Sequence, residues 1–221
     1  MITANNVERT FTKGPIETRV LKGVSLSIAQ GEFIAIMGKS GAGKSTLLYQ
    51  LSLLDHPTAG SIVVDGVNTE KLSRDERTEF RLRRLGYVFQ DYALLPELTA
   101  IENVMLPMLM QGFPDEQART NAREALASVG LAHREGNVPS KLSGGEQQRV
   151  SIARAIAHKP KIVFADEPTA NLDNESSRMV MDIFAKLHRE GQTIVMVTHE
   201  DEYGHVADRV VRLDDGKIVS A

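Results

Sequence analysis

The stretch Gly38-Lys39-Ser40-Gly41-Ala42-Gly43-Lys44-Ser45 fills G-x-x-x-x-G-K-[ST] at every fixed position. An apolar run, residues 32–37, precedes it, and a helical pattern over 44–52 follows. That order is the strand, phosphate loop and helix of a triphosphate-binding α/β core. Gly38, Gly41 and Gly43 let the backbone curl with its N–H groups turned inward as an anion nest. The helix start adds its positive dipole end and its unpaired N–H groups. Lys44 can reach the β- and γ-phosphates, the Ser45 hydroxyl can ligate Mg²⁺, and Thr46 offers one more donor.

The rest of the chain agrees with such a core. Short runs at 85–89, 161–165 and 193–198 read as strands, the last two rich in Ile and Val. Residues 175–189 carry a helical period, with Val180, Ile183, Phe184 and Leu187 on one face. Residues 209–219 read as a hairpin turning at Asp214-Asp215-Gly216. Residues 100–157 differ. They hold no good strand, and their apolar runs at 101–110 and 118–129 are broken by Gly112-Phe113-Pro114 and Val138-Pro139-Ser140. This predicts an all-helical insertion between two strands. The fold class is α/β with a mainly parallel sheet.

Composition removes several alternatives. The 221 residues contain no cysteine, which excludes disulfides, thiolate metal sites and cysteine nucleophiles. Basic residues number 26 against 29 acidic, net −3, so nucleic-acid binding by bulk charge is not expected. The N-terminus lacks a signal-peptide pattern. Apolar runs such as 33–37 and 162–165 fall far short of the roughly 20 residues that span a bilayer, so this chain is not expected to cross a membrane itself.

Ile162-Val163-Phe164-Ala165 ends in Asp166, followed by Glu167. An acid at the carboxyl end of a parallel strand points into the ligand crevice. Two adjacent acids repel, and separate roles account for both. Asp166 serves the magnesium ion, while Glu167 orients and deprotonates the attacking water. Further on, Pro139 precedes Leu142-Ser143-Gly144-Gly145-Glu146-Gln147-Gln148-Arg149. Ser143 is a good N-cap for a helix over 147–157, and the Ser-Gly-Gly start forms a second anion-binding surface.

This octapeptide resembles the signature motif of the ATP-binding cassette family, and the resemblance covers nearly the whole chain. In family order, Gln90 matches the Q-loop, Ala170-Asn171-Leu172-Asp173 the D-loop, and His199 the switch histidine. Phe11 stands where the family usually places an aromatic, most often tyrosine, that stacks on adenine. The resemblance implies one nucleotide-binding domain over 1–221. It would comprise a RecA-like P-loop core, an N-terminal antiparallel β-subdomain and a helical subdomain of about residues 95–158.

It also implies a mechanism. Two copies pack head to tail, each ATP lying between one copy's phosphate loop and Ser143, Gly144 and Gly145 of the other. Gln90 contacts Mg²⁺ and the attacking water, His199 holds the γ-phosphate, and Asp173 links the two sites. The implied partners are a second copy and separate integral membrane permease subunits, on the cytoplasmic face of the inner membrane. Residues 18–26 and 94–107 are most similar to ATPases of the lipoprotein-release and macrolide-efflux type. Tyr92 and Leu94, directly after Gln90, are candidates for the permease contact. The Met-rich run at 105–110 is expected to be mostly the insertion's own core. The main alternative is a soluble cassette ATPase acting in cell division or on nucleic acid. A P-loop kinase or GTPase would leave Ser143 to Arg149 unexplained.

Overall fold

Strands β3 (Phe33–Met37), β7 (Ile162–Asp166) and β8 (Thr193–Val197) are buried along their whole length. Apolar side chains on both faces of these parallel strands require a layer of structure on each side. The computed structural model, which describes residues 1–220, supplies both layers.

In chain order the elements open with β1 (Ile2–Lys13), β2 (Ile16–Ile28), β3, α1 (Lys44–Leu51), β4 (Ala59–Val64), β5 (Val67–Asn68), α2 (Arg74–Arg84) and β6 (Leu85–Val88). The helices α3 (Ala100–Met110), α4 (Asp115–Ser128) and α5 (Gly144–Ile156) follow. The chain closes with β7, α6 (Asn174–Arg189), β8, α7 (Asp201–Gly204), β9 (Arg209–Asp214) and β10 (Lys217–Ser220).

One sheet has the order β2-β1-β4-β5 and is antiparallel; the other runs β10-β9-β3-β8-β7-β6. In the second sheet β9, β3, β8, β7 and β6 are parallel, and only β10 reverses. Two apolar clusters fill the two sides. Ile34, Ile36, Phe164, Val195 and Val197 pack with α1 and the first sheet. Phe33, Val163, Ala165, Ile194 and Met196 pack with α6 and with helices α3 to α5. Alternation of two along each strand produces this division. It also puts Asp166, two residues beyond Phe164, on the α1 side.

All three helices of the segment between β6 and β7 bury apolar faces. Met105 and Met108 lie in that core, whereas Met110 is exposed. Helix α5 approaches β6 so closely that a Cβ on Gly86 would stand 2.3 Å from the Ala155 carbonyl oxygen.

One local expectation needs correction, and one helix was not expected. The signature helix begins at Gly144, three residues before 147, because the Ser143 and Glu146 side chains cap each other's backbone N–H groups. Helix α2 has no counterpart in the sequence reading. Its residues are largely charged and only Arg77 is buried, so no apolar period announces it. Its Ser73/Glu76 capping box was the readable signal.

Candidate active site

The phosphate loop leaves the carboxyl end of β3 and turns into α1. Gly38 has φ 152° and lies under β9: a Cβ there would be 2.1 Å from the Leu213 carbonyl oxygen. Gly43, the residue before α1, has φ 99° and packs against Val20 and Leu21 of β2. Glycine is needed at the first for close approach and at the second for the left-handed turn. The Lys44 side chain is buried, and its Nζ donates to the Lys39 carbonyl at 3.2 Å, folding the cation back over the loop.

Asp166 meets α1 where strand alternation aims it. Ser45 Oγ donates to Asp166 Oδ1 at 3.0 Å. Burial raises the Asp166 carboxyl above the ordinary carboxylate range, and Glu167 adds to this. Hydrogen bonding from Ser45 and Tyr49 and the charge of Lys44 work the other way. Tyr49 was not among the sequence candidates. It lies one helical turn beyond Ser45, so i,i+4 spacing could have found it. A hydroxyl and a buried carboxylate in contact are hard oxygen donors, the chemistry that suits Mg²⁺.

Glu167 follows in a left-handed conformation, φ 42°. Its N–H donates to the Val197 carbonyl at 3.0 Å, which fastens it to the end of β8. Such backbone strain concentrates at functional sites. His199 leaves the same end of β8, and its Nδ1 lies 3.3 Å from Glu167 Oε2. A tie between the two loops supports the pair: Thr169 Oγ1 donates to Glu200 Oε1 at 3.1 Å. A cleft of about 600 Å³ is lined by Gly38, Lys39, Ser40, Lys44, Glu167 and His199. Arg212 of β9 also lines it and was missed, since a lone arginine in a hairpin strand carries no motif.

The remaining candidates stand elsewhere. Ser143, Gly144 and Gly145 form the start of α5 and do not line this cleft. Asp173 is the N-cap of α6: it accepts from the Ser176 N–H at 2.8 Å and the Ser176 hydroxyl at 3.0 Å. Those bonds hold its carboxyl below the ordinary range. Gln90 is exposed, and its carbonyl accepts from Asn171 Nδ2 at 3.3 Å. Phe11 is on β1 opposite Thr18 of β2, with the Arg9 guanidinium 4.3 Å above one ring face. A second cleft, about 590 Å³ and lined in part by Lys161 and Thr193, opens at the amino ends of β7 and β8. It contains none of these residues.

A phosphate loop after a central strand, an acid-ended strand facing it and a helical lobe between β6 and β7 define a P-loop nucleoside triphosphatase. A family model described as ABC transporter matches residues 21–170. The chain belongs to that family.

Relatives agree along nearly the full length. An uncharacterised ABC transporter ATP-binding protein of Methanocaldococcus jannaschii is 48% identical over 219 residues, covering 99% of this chain and 98% of its own. The lipoprotein-releasing system ATP-binding protein LolD of Aquifex aeolicus is 50% identical over 200 residues, covering 90% and 89%. The macrolide export ATP-binding/permease protein MacB of Neisseria meningitidis is 46% identical over 220 residues, and this chain spans 34% of its length. Among solved structures, the dimeric ATP-binding cassette MJ0796 in a post-hydrolysis state bound to ADP and Pi matches with TM-score 0.93. It is 40% identical, over 100% of this chain and 97% of that one. The chain is therefore the ATP-binding and ATP-hydrolysing subunit of an ABC transporter.

Proposed function

We propose that two copies of this chain close head to tail on two ATP molecules and thereby drive separate membrane permease subunits. One observation carries this reading. The phosphate cleft and the Ser143–Gly145 surface belong to different places on the same chain. Each is one side of a phosphate site. The first N–H groups of α5 have no partner within the helix, and Ser143 is exposed beside them. A second copy brings such a surface to the γ-phosphate. The relative MJ0796 is described as dimeric, which agrees with this arrangement.

In each site Lys44 and the loop from Gly38 to Thr46 hold the phosphates, and His199 holds the γ-phosphate. Glu167, in contact with His199, takes the proton of the attacking water. Ser45, Asp166 and Gln90 would hold Mg²⁺ through oxygen donors. When bound, the ion supplies positive charge that offsets the charge on the phosphate oxygens. Phe11 offers adenine the ring face that Arg9 does not cover. Asp173, already fixed as a helix cap, stands where the second copy approaches.

No helix among the described residues is long and apolar enough to cross a membrane. In this reading a permease carries out the transport, with this chain on its cytoplasmic face. The LolD and MacB likenesses favour work of the lipoprotein-release or macrolide-export type. The test is Glu167→Gln under saturating MgATP, followed by light scattering on a sizing column. Nucleotide-dependent dimers are expected, and a chain that binds ATP yet stays monomeric sinks the sandwich.

A further inference from the structure

Helix α5 carries a polar face that the roles above use only at Gly144. Gly144, Gln148, Ser151 and Arg154 follow at spacings of four, three and three, so they share one side of the helix. Gln148 and Ser151 have no exposed surface. Gln148 Nε2 donates to the Phe89 carbonyl at 3.3 Å and to the Pro168 carbonyl at 2.8 Å. One amide thus joins the residue before Gln90 to the residue after Glu167. Arg154 donates from one guanidinium nitrogen to the Tyr92 carbonyl at 2.9 Å and from the other to the Ala93 carbonyl. Tyr92 and Ala93 both have left-handed backbones, φ 58° and 50°. That conformation is costly without glycine and needs an external hold. The Tyr92 ring then reaches the other end of the helix: a Cβ on Gly144 would lie 2.9 Å from its hydroxyl oxygen.

We propose that Gln148 and Arg154 are positioning residues that make the segment 89–93 move as one body with the signature end of α5. This rests on the ATP-sandwich reading. When a second copy's ATP engages Ser143 to Gly145, any shift of α5 is transmitted at once to Gln90 and to the surface from Tyr92 onward. Through Pro168 the same shift reaches the turn that holds Glu167. Desolvation lowers the Arg154 guanidinium to about 10, so it stays charged at neutral pH and keeps both carbonyl bonds. Lysine, with a compact ammonium, can replace one of these bonds but not the forked pair.

Hydrogen exchange read by mass spectrometry tests the link. In the Glu167→Gln chain, MgATP is expected to slow exchange in both 89–95 and 143–148. Adding Arg154→Met should leave ATP affinity within about twofold and keep the response at 143–148. It should also speed exchange at 89–95 by about tenfold and abolish the response there, the effect of losing both bonds that hold the loop carbonyls. Arg154→Lys should recover part of that response. A loop that still responds to ATP in Arg154→Met overturns the proposal. So does exchange that rises across the whole chain, since the arginine would then serve only the fold. If the Glu167→Gln chain binds ATP and neither segment responds, the sandwich reading falls, and this link falls with it.

Discussion

His199 Nδ1 lies 3.3 Å from Glu167 Oε2, although 32 positions of chain separate the two residues. The contact exists because β7 and β8 are neighbours that end together: Asp166 is in register with Val197. Glu167 follows β7 directly, and His199 follows β8 one residue later, after Thr198. Replacing His199 with alanine is expected to lower kcat by about 10²–10³, the usual worth of a preorganised group that holds developing charge, with a smaller effect on ATP affinity. Steady-state phosphate release checks this beside a nucleotide titration.

Lys44 is buried with its ammonium folded onto the Lys39 carbonyl, so it shapes the loop as well as supplying charge. Lys44→Ala is expected to reduce turnover by about 10²–10³, as expected for loss of a preorganised cation at a phosphate. Fluorescent-nucleotide binding should weaken in parallel, while circular dichroism stays unchanged. Native-like ATPase activity in this variant would remove the phosphate loop from the mechanism.

Asp166 predicts a trade between stability and activity. Burial raises its carboxyl above the ordinary range, so at pH values between the unfolded and folded pKa the native state holds more protons than the unfolded one. Its contribution is therefore most favourable below the ordinary carboxylate value and declines as pH rises through the folded one. At neutral pH the buried charge costs stability. Asp166→Asn should raise the Tm of the nucleotide-free chain at pH 7 and lose that advantage in acid. The same variant should lose Mg²⁺-dependent turnover. Calorimetry at two pH values, paired with an ATPase assay, reads both effects.

Gly86 predicts a purely structural loss. A Cβ there would meet the Ala155 carbonyl at 2.3 Å and Pro160 at 3.2 Å, so β6 and α5 must separate. Gly86→Ala is expected to cost about 1–3 kcal/mol, as overpacking does. For a chain of this size that lowers Tm by about 2–4 °C per kcal/mol. Thermal unfolding followed by circular dichroism measures it.

Leu94 refines the permease contact expected from sequence. It packs partly buried against the helical core, whereas Leu95 is exposed. A charge at 94 therefore threatens the lobe itself, and Leu95→Asp is the cleaner probe of a partner surface.

Much of the site was legible because its determinants are local. The phosphate loop needs glycines at set positions, and the signature start needs a serine cap with a glutamate three residues on. The turn at 214–216 is equally local, since Asp215 and Gly216 take the left-handed backbone it requires. Tertiary structure decided the rest. Ser45 and Asp166 meet across 121 residues only because β7 lies two strands from β3 and turns alternate side chains toward α1. Strand order of that kind depends on which faces bury each other, and no short window of sequence contains it. The same long-range packing keeps Ser143 out of the phosphate cleft and lays α5 along the loop after Gln90, joining two motifs that are about fifty residues apart in the chain.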